Sequence, residues 1–221
     1  MIEYPNQYIE HTCLRPELID RDIDRLVGEC LEFEFLGLCI PPFWVKKANR
    51  ELNNTDVQLV TVIGFPLGYQ RTEAKIKEVE CALKDGADEL DLVLNVSAFK
   101  SGMNWPKIEM VKVANLVHEE EKILKVIVET ALLSKDELAT ISKIVSDAGA
   151  DFIKTSTGFS ARGASEEDII IMKENISPQV GIKASGGINS LEKMYALINA
   201  GAERIGTSSG ILIMNEFQNI V

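Results

Sequence analysis

Three short echoes constrain the fold of this chain more than any other feature: Gly86-Ala-Asp88, Gly149-Ala-Asp151 and Gly201-Ala-Glu203. Each follows a stretch with helical periodicity and precedes an apolar run. A glycine there can take the left-handed conformation that ends a helix, so the echo reads as a repeated helix-to-strand joint. The rest of the chain has the same rhythm. Eight runs have strand character, at residues 8–13, 36–40, 58–64, 89–95, 124–130, 151–156, 180–185 and 204–207. Helical patterns occupy 21–33, 72–85, 105–121, 135–148, 166–174 and 191–199. Within the second of these, Ala74, Ile76, Val79, Ala82 and Leu83 approximate one apolar face. Ser134-Lys-Asp-Glu137 is a capping box, and Ser165-Glu-Glu-Asp168 a weaker version of it. Alternating strands and helices in these numbers predict an α/β fold, a (β/α)8 TIM barrel. An open doubly wound sheet fits less well, because no Gly-x-Gly-x-x-Gly follows an early strand. No linker divides the chain, so residues 1–221 are expected to form a single barrel domain.

Charge narrows the partners. A formal net charge of −11 argues against nucleic acid or an anionic membrane surface, although a local basic site can still hold one small anionic metabolite. The first residues have no signal-peptide character and no apolar run approaches the ~20 residues of a membrane span, so a cytoplasmic protein is expected. The four cysteines (Cys13, Cys30, Cys39, Cys81) include no C-x-x-C pair, and disulfides are not expected. With only two histidines, His11 and His118, a His-rich metal site is not expected, and no cofactor is implied.

Two lysines interrupt late apolar runs: Lys154 in Asp151-Phe-Ile-Lys-Thr-Ser156 and Lys183 in Val180-Gly-Ile-Lys-Ala-Ser185. Burying an ammonium is costly, and two side by side each destabilise the charge on the other. Taking an ordinary lysine to neutrality at pH 7 costs about 4.6 kcal/mol. A second ammonium about 5 Å away, at an effective dielectric of about 20, supplies roughly 3.3 kcal/mol, enough to bring the first to about 8. Such an amine can form an iminium with an aldehyde or ketone, an electron sink for making or breaking the adjacent carbon–carbon bond. Asp91, set between Leu90 and Leu92, needs a cationic partner, and the strand lysines are the candidates. A purely structural Asp–Lys pair is the competing reading. Glu10, Thr12, Cys39 and Asn95 also fall near the C-terminal ends of strands, where barrel chemistry gathers.

Ser185-Gly-Gly187 ends the seventh strand and Gly206-Thr-Ser-Ser-Gly210 the eighth. Barrels often bind phosphate there, with loop amides and the N-terminus of a short helix, which residues 211–217 can supply. Phe65-Pro-Leu-Gly68 reads as a rigid turn at the rim.

Taken in order, Ile9-Glu-His-Thr12, Val62-Ile-Gly-Phe-Pro-Leu-Gly68, Gly86-Ala-Asp-Glu-Leu-Asp91, Lys125-Val-Ile-Val-Glu-Thr130, Phe152-Ile-Lys-Thr-Ser-Thr-Gly158, Lys183-Ala-Ser-Gly-Gly187 and Arg204-Ile-Gly-Thr-Ser-Ser-Gly210 resemble the deoxyribose-phosphate aldolase family of class I aldolases along almost the whole chain. The resemblance implies a (β/α)8 barrel that reversibly cleaves 2-deoxy-D-ribose 5-phosphate to acetaldehyde and D-glyceraldehyde 3-phosphate, in deoxynucleoside catabolism. It makes Lys154 the Schiff-base lysine, Lys183 the lysine that perturbs it, and Asp91 the acid of the proton relay. Gly158, Gly186, Gly187, Ser208 and Ser209 match phosphate-binding positions, and Cys39 and Thr155 are candidate aldehyde-site residues. No metal is expected. A homodimer is expected, since barrels of this kind often associate.

The chain also departs from the family pattern. Phe159-Ser-Ala-Arg-Gly163 is less glycine-rich than is common, which makes Arg162 a candidate phosphate contact. Cys39-Ile-Pro-Pro42 carries proline where polar residues are frequent, and the sequence stops at Val221 without a tyrosine-ended tail, so tail-assisted proton transfer is not expected. Two further readings stay open: a Schiff-base aldolase for another phosphorylated sugar, and a non-catalytic barrel that binds a sugar phosphate.

Overall fold

The structure, a computed structural model, describes residues 2–220; Met1 and Val221, and with Val221 the expectation about a tail, lie outside the described residues. Eight parallel strands, β1 (Ile9–Thr12), β2 (Gly37–Ile40), β3 (Gln58–Ile63), β4 (Glu89–Val93), β5 (Ile123–Ile127), β6 (Phe152–Lys154), β7 (Gly181–Ser185) and β8 (Arg204–Thr207), form a closed barrel in sequential order. Closure joins β1 to β8, with Glu10 opposite Gly206. The expected TIM barrel is therefore the fold, and each expected strand is present, several of them shorter at the C-terminal end.

The Gly-Ala-Asp echoes are the joints that build it. Gly86, Gly149 and Gly201 have φ of 97°, 83° and 125° and end or follow the helices α3 (Thr72–Asp85), α6 (Lys135–Asp147) and α8 (Leu191–Ala200). The residue two places on then hooks the neighbouring strand. Asp88 N donates to Leu59 O at 2.8 Å, and the Asp88 carboxylate accepts from Leu59 N at 3.0 Å. Asp151 repeats both bonds on Leu124, and Glu203 N donates to Ile182 O. The echo thus ends a helix and sets the register of two strands at the N-terminal end of the barrel.

The helix starts follow the expected caps. Ser134 and Glu137 exchange side-chain and backbone bonds at the head of α6, and Ser165 accepts from Asp168 N at the head of α7 (Glu166–Asn175). The other helices are α1 (Asp20–Glu32), α2 (Val45–Glu51), α4 (Val96–Lys100), α5 (Trp105–Glu119) and α9 (Gly210–Gln218). Of these, α2 and α4 were not expected. Asn95, expected inside the fourth strand, instead caps α4 by accepting from Ala98 N.

The face of α3 also differs from its expected one. Its buried stripe is Thr72, Lys75, Val79 and Ala82, while Ala74 is exposed and Ile76 and Leu83 are half-buried. Two polar groups occupy the inner face because a carboxylate from α5 satisfies both: Lys75 Nζ donates to Glu109 Oε1 at 2.6 Å, and Thr72 Oγ1 to Glu109 Oε2 at 2.8 Å.

Two apolar layers result from strand alternation. The larger lies between sheet and helices and holds Leu90, Leu92, Leu124, Val126, Ile153 and Ile182. A small one inside the barrel holds Cys39, Val60 and Val62, with Leu14 and Phe65 packed on it. Most of the buried charged side chains share the lumen with them.

Candidate active site

Alternation that sends Leu90 and Leu92 outward sends Glu89 and Asp91 inward, and the same rule points Lys125, Lys154, Lys183 and Glu10 at the barrel axis. All six are buried. Ladder register brings Asp91 opposite Lys125 and Lys154 opposite Lys183. Lys154 Nζ and Lys183 Nζ both donate to one oxygen, Asp91 Oδ2, each at 2.7 Å. Their ammoniums are therefore less than twice that distance apart, as the paired-lysine reading requires. The ammoniums do not confront each other alone, however: Asp91 stands between them and attracts both.

The carboxylates are shared unequally. Lys125 faces three of them: Asp91 Oδ1 at 3.1 Å, Glu10 Oε1 at 3.6 Å, and Glu89. Lys183 faces two, Asp91 and Glu10. Lys154 faces Asp91 alone. Below them Arg204 Nη2 lies 3.4 Å from Glu89 Oε1, with its guanidinium over the Phe152 ring. Burial penalises the charge on Asp91, but Lys125, Lys154 and Lys183 outweigh it and hold the carboxyl well below the usual range. Glu10 is lowered in the same way, its burial overcome by Lys125 and Lys183. For Lys183, burial pulls down while Asp91 and Glu10 together pull further up, so it stays cationic. Lys125 is raised likewise against its burial, by Asp91 and Glu10.

A cavity of about 670 Å³ opens over this network at the C-terminal ends of the strands. Lys154 reaches it, and its walls include Gly158, Gly186, Gly187, Ser208 and Ser209, the five residues matched to phosphate binding. Gly186 and Gly163 explain the tight turn there: a Cβ on Gly163 would lie 1.9 Å from the Gly186 carbonyl oxygen, and Gly186 itself has φ of 87°. Ser209 immediately precedes α9 and donates its N–H to Thr207 Oγ1 at 2.9 Å, and Ser208, Ser209 and Ile211 bring the N-terminus of α9 to the cavity wall.

Asp91 and Lys183 lie beneath the cavity rather than in its wall. Thr155 is fully buried, with Oγ1 bonded to Ser185 N at 3.0 Å and Ser185 O at 3.2 Å, which ties β6 to β7. Cys39 is also fully buried; loss of solvent pushes its thiol up, more than the nearby Lys183 pulls it down, which favours the less reactive thiol form. Arg162 does not line the cavity. Its guanidinium is taken up by Asp168 and by Thr130 O at 3.0 Å. Among the described residues, no group of three or more His, Cys, Asp and Glu side chains is placed to hold a metal ion.

Sequence reasoning missed Lys125, Glu89 and Arg204. The signal was present, since Lys125 interrupts an apolar strand as Lys154 and Lys183 do, and Glu89 is two residues from Asp91 and so on its face.

Residues 10–216 match the model of the DeoC/LacD family of aldolases. The chain belongs to that family. It is 48% identical over 211 residues to a deoxyribose-phosphate aldolase of Mesomycoplasma hyopneumoniae, covering 95% of this chain and 94% of that protein. To the deoxyribose-phosphate aldolase of Streptococcus gordonii it is 46% identical over 209 residues, with the same coverage. Among solved structures, a deoxyribose phosphate aldolase from Aeropyrum pernix, described as tetrameric, superposes with a TM-score of 0.91 at 31% identity, over 100% of this chain and 94% of that one. The DeoC/LacD assignment and the closed barrel agree in fold and in length.

Proposed function

We propose that this DeoC/LacD aldolase cleaves 2-deoxy-D-ribose 5-phosphate reversibly, through a Schiff base on Lys154. One observation carries the choice of nucleophile: of three lumen lysines, Lys154 faces the fewest carboxylates and is the one that lines the cavity. With Lys154 as the free amine, Glu10, Glu89 and Asp91 face Lys125, Lys183 and Arg204, and the charges in the lumen balance.

In the cleavage direction the Lys154 amine adds to C1 of the open-chain aldehyde, and the carbinolamine loses water to give an iminium. The C3 hydroxyl gives up its proton, the C2–C3 bond breaks, and its electrons pass into the iminium to form an enamine. D-Glyceraldehyde 3-phosphate leaves. Protonation of the enamine at C2 and hydrolysis then free acetaldehyde and the lysine. Asp91, bonded to Lys154 and Lys183, is placed to relay these protons, and the fixed charge on Lys183 opposes a second positive charge beside it. Gly158, Gly186, Gly187, Ser208 and Ser209 would hold the phosphate, with Cys39 and Thr155 near the aldehyde end.

The reaction as proposed uses the iminium as electron sink and needs no metal. The names of the relatives support the substrate, and the absence among the described residues of any helix long and apolar enough to cross a membrane is compatible with the proposed cytoplasmic location. A homodimer is the proposed assembly, and light scattering after size exclusion would detect a tetramer instead. The direct test is acetaldehyde release from deoxyribose 5-phosphate in the presence of a chelator. Turnover supports substrate and mechanism together. Turnover of a different phosphorylated sugar in its place would favour the related-aldolase reading, and tight binding without turnover the binding barrel.

A further inference from the structure

The loop between β6 and α7 forms one wall of the cavity, through Thr157, Gly158 and Phe159, yet it has no regular structure of its own. Two charged side chains outside the catalytic network hold its ends. At the near end stands Glu129, buried and with φ of 55°, a left-handed conformation that is costly for a residue with a side chain. Its carboxylate accepts from Thr157 N at 3.2 Å and from Thr157 Oγ1, which in turn accepts from Phe159 N at 3.1 Å. At the far end Arg162 reaches across to the first turn of α7 and to the turn after β5. Its two terminal nitrogens meet both oxygens of Asp168, and Nη2 donates to Thr130 O. Asp168 is nearly buried and also accepts from Thr130 Oγ1 at 2.9 Å. Immediately after Arg162, Gly163 rests its backbone on the Gly186 carbonyl, and Ala164 N donates to Ser185 O at 3.1 Å. Movement at Arg162 is thereby passed to the Ser185-Gly186-Gly187 turn.

We propose that Arg162 and Glu129 are positioning residues for the anion end of the cavity. They clamp the β6–α7 loop at both ends so that the backbone at Gly158 and at Gly186 is already set when the phosphate arrives. The inference rests on the phosphate reading given above. Preorganisation of this kind is felt in binding of the phosphorylated substrate and hardly at all in the chemical step, because the clamp touches neither Lys154 nor Asp91.

The test compares wild type with Arg162→Ala and Arg162→Lys, using deoxyribose 5-phosphate, unphosphorylated deoxyribose, and inorganic phosphate titrated by NMR. For Arg162→Ala, KM for the phosphorylated sugar and Kd for phosphate should each rise about tenfold, with kcat within about twofold of wild type. For unphosphorylated deoxyribose, kcat/KM should not change. Lysine keeps the charge but cannot reach Asp168 and the Thr130 carbonyl as one fork, so it should recover only part of the loss. Unchanged phosphate affinity, or an equal fall for both sugars, overturns the proposal. If wild type does not cleave deoxyribose phosphate, the aldolase reading fails while the phosphate titration still decides the clamp. Should alanine unfold the protein by circular dichroism, the lysine variant carries the comparison.

Discussion

Two regions of this molecule bury lysine completely, and they use it differently. Outside the barrel, Lys75 of α3 donates to Val93 O at 2.8 Å and to Glu109, whose other oxygen is held by Thr72; Trp105 Nε1 closes the group on Thr72 Oγ1 at 3.0 Å. Each charge there has one ion-pair partner and the group has no share in the cavity. Inside the barrel the charges are shared, and one member, Lys154, is left with a single carboxylate and an open side. Burial pushes Lys75 down, more than Glu109 restores, whereas Lys183 is held up. The lysine displaced in the direction usually sought in a nucleophile is therefore the sealed, structural one. Access and unequal sharing, rather than burial or the sign of a pKa shift, are what single out Lys154 as the proposed nucleophile.

Substitutions can break or sharpen this contrast. The largest effect belongs to Lys154→Ala, which should lower kcat by about 10⁴-fold or more and abolish borohydride trapping of acetaldehyde. Unaltered labelling by mass spectrometry would reassign the nucleophile. Next comes Lys183→Met: loss of the fixed cation should cost about 10²- to 10³-fold in kcat with trapping still centred on Lys154, and a rate near wild type would remove Lys183 from the mechanism. Lys75→Met should do the opposite, leaving kcat/KM within about threefold while costing about 3 kcal/mol of stability, because Glu109 would be buried without its cation. Denaturant unfolding measures this, and adding Glu109→Leu should restore much of it.

The smallest effect is on pH dependence. Glu10 and Asp91 have folded values below their unfolded ones, so their contribution is complete above about pH 4.5 and is lost only as pH falls through the lowered values. Lys125 and Lys183 have raised values, so theirs is complete below about pH 10 and is lost as pH rises through the folded values. The lumen's share of stability should be flat between those limits, and a Tm that drops between pH 5 and 9 in wild type but not in Lys183→Met would contradict it.

Much of this was legible in the residues, for physical reasons that also explain the gaps. Strands and joints announce themselves because glycine and apolar runs act locally, and Lys154, Lys183 and Asp91 stand out because charge among apolar neighbours is expensive. The short helices α2 and α4 gave little signal: α2 buries only Val45 and Ala48. The inner face of α3 misled, since Lys75 and Thr72 look solvent-facing until Glu109, 34 residues further on from Lys75, is brought against them. Arg162 looked free for a phosphate because nothing local reveals that Asp168 and Thr130 lie within its reach. Local rules read what one element does, and partners from separate elements appear only when the chain is closed.

The ion pair between Glu10 and Lys183 spans 173 residues. During synthesis the first strand therefore emerges with a carboxylate whose partner is made six strands later. A partly formed barrel would have to bury Glu10 without that cation, or leave its inner face wet, and neither is a stable resting place. Closure is expected to be all-or-none and late, governed by contacts between the two ends of the chain rather than by the local joints that begin it.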